Sequence, residues 1–240
     1  MEFAGKKVLL TGGTGGIGKC ILEKFIAQGA QVFTTTTSHK KLEEFEQKFT
    51  RDSAFIMVCD VAKEADLIVQ TALEALGGVD IFVHCAGITR DNLLVRMSDE
   101  DWDQVHDLNL KAAFQLTRAL ISKMKDGRVI YVTSVVGSAG NIGQANYIAS
   151  KAGLAGLARA IASEYGRKNI TVNCVEPGFI DTDMTNALPE AIKEQILSKV
   201  PMKRMGKPEE VADCVLFLAS SQGSYITGTS LRVNGGMFMG

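Results

Sequence analysis

Thr11-Gly12-Gly13-Thr14-Gly15-Gly16-Ile17-Gly18 is the stretch from which the fold is read. It follows a short apolar run, Val8–Leu10, and precedes a helical pattern over Gly18–Ala27. A glycine-rich turn between strand and helix lets backbone approach an anion, and the free N–H groups of the helix N-terminus then face it. The glycines fit two registers. Gly13, Gly15 and Gly18 make G-x-G-x-x-G, whereas Gly12, Gly16 and Gly18 make T-G-x-x-x-G-x-G counted from Thr11. A plain glycine-rich turn is the alternative. The motif's place, in the first strand–helix turn of an alternating chain, favours a site for a dinucleotide pyrophosphate.

The alternation runs outward from that turn. Val8–Leu10, Gln31–Thr34, Ala54–Val58, Ile81–Cys85, Val129–Thr133, Ile170–Val175 and Leu231–Val233 read as strands. They are short and nearly all apolar, as strands covered on both faces should be. Helical patterns lie between them, near Gly18–Ala27, Lys40–Phe49, Ala62–Leu76, Asp99–Ile121, Asn146–Tyr165 and Pro208–Ala219. Such a chain predicts right-handed βαβ units. The expected fold is α/β: one Rossmann-type, doubly wound, seven-stranded parallel sheet with helices on both faces, a single domain over 1–240. Two segments break the rhythm. Val135–Ala145 reads as a Gly/Ser/Asn loop, and Gly178–Pro208 as an insertion with short helices around Pro189–Lys199. Both follow carboxyl ends of strands, where open α/β sheets bind ligands.

Composition narrows the function classes. The 26 basic and 27 acidic residues leave a formal net charge of −1, which gives no support to nucleic-acid binding or a polybasic membrane role. No apolar run reaches membrane-spanning length, so no membrane insertion is expected. The N-terminal residues carry no leader pattern, and a cytoplasmic protein is expected. The five cysteines, Cys20, Cys59, Cys85, Cys174 and Cys214, are scattered among apolar neighbours with no C-x-x-C pair. His39, His84 and His106 have no partner at ligand spacing, so no metal site is assigned.

A second strand that reads a ribose 2′-hydroxyl ends in Asp or Glu. Here it ends Thr34-Thr35-Thr36-Thr37-Ser38-His39-Lys40-Lys41, with no carboxylate. Hydroxyls from Thr37 and Ser38, and Lys40, suit a 2′-phosphate; Lys41 reads as the start of a solvated helix. Further on, Tyr147 and Lys151 stand one helical turn apart on one face. A lysine cation beside a phenol favours the phenolate and lowers its pKa, so such a tyrosine can exchange a proton with a carbonyl or alcohol oxygen. The spacing alone is common. Its position, across a Gly/Asn loop from Ser134 at the end of the fifth strand, puts both groups at the ligand end of the sheet.

Gly12, Gly16 and Gly18, Ala86-Gly87, Asn109, Ser134, Tyr147, Lys151 and Pro177-Gly178 together resemble the short-chain dehydrogenase/reductase family over the full chain. Gly87-Ile88-Thr89-Arg90-Asp91-Asn92-Leu93-Leu94, Gly143-Gln144-Ala145-Asn146-Tyr147, Tyr225-Ile226-Thr227-Gly228 and Val233-Asn234-Gly235-Gly236-Met237 resemble its 3-oxoacyl-[acyl-carrier-protein] reductases. The resemblance implies NADP(H)-dependent reduction of 3-oxoacyl thioesters on acyl carrier protein, in fatty-acid synthesis. It implies Tyr147 as proton donor, Ser134 as hydrogen bond to the keto oxygen, Lys151 on the nicotinamide ribose, and Asn109 as anchor of a relay water. Gly12, Thr14, Gly16, Ile17, Gly18, Thr37, Ala86, Gly87, Pro177, Gly178 and Ile180 line the cofactor, with Asp60 and Val61 at the adenine and Thr182 at the carboxamide. It also implies a homotetramer built through helix 146–165, whose small residues let backbones approach closely, though ordinary packing on one sheet face explains them too. Lys125 and Lys168, with Arg167 adjacent, match positions where relatives dock an acidic carrier; a solvated loop is the plain alternative.

Three residues depart from the family pattern. His84-Cys85 stands where relatives have Asn-Asn, behind the cofactor. Glu176 replaces a small residue, and a carboxylate there repels a phosphate or pairs with a cation. Gly15 stands where NADPH users often carry Arg. Other readings are an acetoacetyl-CoA or small-ketone reductase, and a non-catalytic NADP(H)-binding sensor or assembly subunit. An intact Ser134, Tyr147 and Lys151 disfavour the last.

Overall fold

Seven parallel strands form one sheet in the order β3-β2-β1-β4-β5-β6-β7. The strands are β1 (Lys7–Thr11), β2 (Gln31–Thr36), β3 (Ala54–Val58), β4 (Ile81–His84), β5 (Arg128–Val132), β6 (Thr171–Pro177) and β7 (Ser230–Val233). The computed structural model describes residues 1–240, apart from the side chain of Met184. The chain winds from β1 out to β3, then restarts beside β1 with β4 and winds the other way. The carboxyl ends of β1 and β4 therefore flank the point where the winding reverses, and the crevice opens there.

The helices are α1 (Gly16–Ala27), α2 (His39–Lys48), α3 (Ala65–Leu76), α4 (Asp99–His106), α5 (Ala112–Ile121), α6 (Val136–Ala139), α7 (Ala145–Tyr165), α8 (Asp183–Asn186), α9 (Glu190–Ser198) and α10 (Pro208–Ala219). Strand side chains alternate between two cores. Phe82 points to the side of Leu116 on α5 and Leu154 on α7, while Val83 points to the side of Phe25 on α1 and Val215 on α10.

The sequence-predicted elements are present, with three differences of detail. The expected single helix over Asp99–Ile121 is α4 and α5 joined through a π turn, Asp107–Lys111. Neither Gly nor Pro marks that turn, so nothing in the sequence pattern announces it. The expected loop over 135–145 contains the one-turn helix α6. The third helix starts at Ala65, not Ala62, because Asp60 Oδ1 accepts the Ala62 N–H at 3.0 Å and shapes a turn first.

Backbone proximity decides between the two glycine registers. Gly12 has φ +74°, and a Cβ there would lie 3.0 Å from the Ala86 backbone at the end of β4. A Cβ on Gly18 would sit 2.1 Å from the Gly12 carbonyl oxygen, and one on Gly16 would sit 2.8 Å from the Thr182 methyl. Gly15 meets nothing closer than 3.7 Å and has φ −97°. Gly13 is confined as well, since a Cβ there would lie 2.3 Å from Thr34 Oγ1, so the registers part at Gly12 and Gly16, which the turn requires, and at Gly15, which is replaceable. Gly18→Ala is expected to cost about 3 kcal/mol, since backbone must move to admit the methyl, whereas Gly15→Ala stays within about 0.5 kcal/mol. Urea denaturation of both variants checks this. Equal midpoints would contradict it.

Candidate active site

The turn after β1 is propped from β2. Thr34 Oγ1 accepts the Gly13 N–H at 3.0 Å and donates to the Leu10 carbonyl at 2.8 Å. Thr35 Oγ1 accepts from Gly12 N at 3.2 Å, and the Thr14 hydroxyl donates to Thr36 Oγ1 at 3.1 Å. Thr34, Thr35 and Thr36 are buried, so this part of the threonine run fixes the loop from behind. Thr37 is the exposed member at the strand's end, and Ser38 caps α2 by accepting the Lys41 N–H. The two lysines exchange the parts read from sequence. Lys40 faces Glu44, while Lys41 turns back and its Nζ donates to the Thr14 carbonyl at 3.1 Å. A cation thus stands at the loop that Gly15 leaves without a side chain.

His84 rebuilds the hydrogen bonding behind the crevice. Thr11 Oγ1 accepts the N–H groups of Cys85 and Ala86, both at 3.2 Å, and lies 3.0 Å from His84 Nδ1. A hydroxyl has one proton to give, so it goes to Nδ1 and the imidazole proton sits on Nε2. Burial pushes the His84 pKa down to about 3, and the ring stays neutral. Thr11 and His84 together fix the backbone that leads into Ala86 and Gly87.

Asn109 sits in the π turn, fully buried. Its Oδ1 accepts the Ile88 N–H at 2.9 Å; its Nδ2 donates to the Ile88 carbonyl at 3.0 Å and to Ser150 Oγ at 3.1 Å. One amide therefore ties the loop after β4 to α7. Gly87 lies between: a Cβ there would be 3.1 Å from Asn109 Oδ1 and 3.3 Å from Lys151 Nζ. The π turn adds a residue to the helix and brings this amide inward, a use common at functional sites.

Lys151 is buried, and its Nζ donates to the Val132 carbonyl at 2.9 Å. Loss of solvation lowers its pKa to about 8. Tyr147 lies one turn earlier on α7, with Lys151 Nζ 5.6 Å from its ring centroid. The expectation that the lysine lowers the phenol's pKa does not hold here. Burial dominates and pushes Tyr147 up to about 12, with the Ser134 hydroxyl pulling the other way. Ser134 is framed by two backbone bonds to β6, Thr133 N–H to the Val175 carbonyl and Val135 N–H to the Pro177 carbonyl, both 2.8 Å.

The remaining residues read from sequence divide. Gly178 lets β6 approach the C-terminal segment, where a Cβ would lie 2.7 Å from Asn234 Cα, and its N–H donates to the Val233 carbonyl. Thr182 caps α8 and presents its methyl to Gly16, which closes the crevice on the insertion side. The Ile180 side chain is buried in the core on the α1/α10 side, leaving its backbone to the crevice. Val61 is buried too, and Asp60 is half-buried, with Oδ2 3.2 Å from Lys63 Nζ. Lys125, Arg167 and Lys168 are exposed, in loops joined by the 2.7 Å bond from Asn169 Nδ2 to Asp126 Oδ1. Those loops precede β5 and β6, at the end of the sheet opposite Tyr147. Sequence reading gave Thr11 no role and took Thr34, Thr35, Thr36 and Lys41 as part of the strand end and a solvated helix start; the bonds they make to the loops after β1 and β4 depend on neighbours distant in sequence. Among the described residues no group of His, Cys, Asp and Glu is arranged to hold a metal, and no helix is long and apolar enough to cross a membrane.

Comparison with known proteins gives full-length matches. Residues 12–238 match the family model described as Enoyl-(Acyl carrier protein) reductase. The chain is 44% identical to 3-oxoacyl-[acyl-carrier-protein] reductase FabG of Salmonella typhimurium, covering all of both chains. It is 47% identical to Nodulation protein G of Rhizobium sp. (strain N33), covering 99% of each. Among solved structures, a blue fluorescent protein from a metagenomic library, in complex with NADPH, superposes with a TM-score of 0.93 at 33% identity and full coverage of both chains.

Asn109 generates a stability expectation. Asn109→Leu keeps the branched shape but strips Ile88 of its acceptor and donor, and is expected to cost roughly 2–3 kcal/mol. Asn109→Asp keeps the acceptor and falls between. Chemical denaturation reads both, and a leucine variant as stable as the parent would contradict the clamp.

Proposed function

The chain belongs to the short-chain dehydrogenase/reductase family, and on that premise we propose that it reduces the 3-keto group of 3-oxoacyl thioesters on acyl carrier protein, with NADPH as reductant. One observation carries the reading: full-length identity of 44% to a 3-oxoacyl-[acyl-carrier-protein] reductase, in a chain that keeps Ser134, Tyr147, Lys151 and Asn109.

The crevice fits a dinucleotide. Gly15 is the N-cap of α1 and has no side chain to cap it, so the first-turn N–H groups of the helix are left for an anion. Gly12, Thr14, Gly16, Ile17 and Gly18 would hold the pyrophosphate. Asp60 and Val61 would flank the adenine, and Thr37 and Lys41 would meet the 2′-phosphate. Ala86, Gly87, Pro177, Gly178, Ile180 and Thr182 would surround the nicotinamide half. When bound, the reduced cofactor supplies the hydride that goes to the keto carbon.

The chain's own residues handle the oxygen. Ser134 donates a hydrogen bond to it and stabilises the negative charge that grows there. Tyr147 gives it a proton. A phenol with a pKa of about 12 is wholly protonated at neutral pH, yet it is a far stronger acid than the alcohol being formed, so transfer to an alkoxide runs downhill. Lys151, a cation below about pH 8, would hold the ribose hydroxyls, and Asn109 would anchor the water that resupplies the proton.

The partner is an acidic carrier protein, docked through Lys125 and Lys168, and the enzyme works in the cytoplasm as a homotetramer. Tetramer formation is supported on α7. Gly153 is filled by Leu110 of the π turn, whereas a Cβ on Gly156 would meet nothing within 4 Å, which leaves that stretch of the helix open to a second copy. It also answers the distance between the lysines and Tyr147, because a neighbouring copy can bring its lysines to another copy's crevice.

Steady-state assays with acetoacetyl-ACP, acetoacetyl-CoA and a 2-enoyl thioester, each with NADPH and NADH, test the reading. The 3-oxoacyl carrier substrate is expected to be preferred, with NADPH favoured over NADH on the order of 10-fold to 100-fold, about 1.4–2.7 kcal/mol. That preference is modest because Gly15 supplies no guanidinium fork, and Gly15→Arg should widen it. Tyr147→Phe should lower kcat by at least ~10² while cofactor binding persists. Reduction of the enoyl thioester alone, or more than a tenth of parental kcat in Tyr147→Phe, would overturn the assignment.

A further inference from the structure

Glu176 is the carboxylate that departs from the family pattern, and the structure supplies its cation. It lies on β6, 3% exposed, and its Cα register partner on β7 is Arg232. Arg232 Nε stands 3.7 Å from Glu176 Oε1, and the guanidinium rests over the Phe238 ring, 5.0 Å from its centroid. Oε1 accepts no hydrogen bond among the described residues, so the arginine's charge is what offsets its burial. The other oxygen, Oε2, accepts from Ser138 Oγ at 3.1 Å.

Ser138 belongs to the one-turn helix that leaves Ser134. The Ser134 carbonyl accepts the Gly137 N–H at 3.0 Å and so begins that turn. Glu176 itself is the residue between Val175 and Pro177, whose carbonyls take the N–H groups on either side of Ser134. After the turn, Gly140 at φ +82° and Gly143 at φ +79° carry the chain across to Tyr147. A segment with two glycines in left-handed backbone has little stiffness of its own. The bond from Ser138 to Glu176 is a side-chain tie from that segment's first turn back to the sheet.

We infer that Glu176, with Ser138 and Arg232, is a positioning group for catalysis: the carboxylate pins α6 to β6 and so fixes the Ser134 hydroxyl relative to Tyr147. Arg232 keeps the carboxylate available as an acceptor. None of the three touches the reacting atoms. The inference rests on the proposed roles of Ser134 and Tyr147.

A misplacement of an oxyanion donor appears in kcat and leaves the cofactor's KM alone. Glu176→Leu and Ser138→Ala are each expected to lower kcat about 10-fold with the KM for NADPH within twofold. The double variant should be no worse than the worse single one, because both cut the same tie. Glu176→Gln keeps an acceptor for Ser138 and should recover kcat to within threefold of the parent. Ser138 is exposed, so its variant folds whether or not the Glu176 variants do. Parental kcat in both Ser138→Ala and Glu176→Leu, beside an inactive Tyr147→Phe, overturns the inference alone. Additive losses in the double variant, or a glutamine variant as impaired as leucine, overturn it too. An active Tyr147→Phe removes the reading on which it stands.

Discussion

A buried ammonium held by one backbone carbonyl organises this molecule. Lys151 is 4% exposed and donates to the Val132 carbonyl at 2.9 Å. Lowering a lysine from 10.5 to about 8 costs on the order of 3 kcal/mol of folding stability at neutral pH. The cost is present in full below about pH 8, where the folded lysine is charged, and fades as pH rises toward 10.5, where the unfolded lysine loses its proton as well. The surroundings are cut to admit the ammonium. Gly87 has no Cβ to crowd it, and Gly137 lets α6 press on the α7 backbone at Ala152. The Asn109 clamp holds the loop after β4 clear of it. A fold carries such a cost where the charge has work to do, and Lys151 stands one turn from the half-buried phenol of Tyr147 at the mouth of the crevice.

The fold was legible because its determinants are local. Seven short apolar runs, separated by helical periodicity and opened by a glycine turn, leave one economical arrangement. Local pattern left two glycine registers open, and what separates them is the close approach of Ala86 to Gly12 and of Thr182 to Gly16, beside the open space at Gly15. That choice depends on a neighbouring strand more than 70 residues away in the chain, which no local pattern encodes.

The parts that sequence reading missed are of the same kind. Thr34, Thr35 and Thr36 lead into a candidate phosphate site in the sequence, but all three are buried and their hydroxyls bond the loop after the first strand. Lys41 looks solvated until α2 folds its side chain back over Thr14. Glu176 gained a partner only when β7 brought Arg232 into register. The tyrosine–lysine pair taught a different lesson. Spacing located both residues, while the electrostatic consequence differs from the one expected, because desolvation raises the phenol's pKa against the Ser134 hydrogen bond that lowers it. The outcome favours a neutral donor at physiological pH, which is the form a reductase needs.

These observations converge on delivery of hydride to a keto carbon and of a proton to its oxygen. The most direct test follows the hydride itself. Acetoacetyl-ACP is turned over with NADPH carrying deuterium at the transferring position of the nicotinamide, and the acyl product is analysed by mass spectrometry and NMR. The account requires 3-hydroxybutyryl-ACP with one deuterium, bound to C3. An unlabelled product, or a label that enters only when a 2-enoyl thioester is offered and then in a saturated chain, would contradict it.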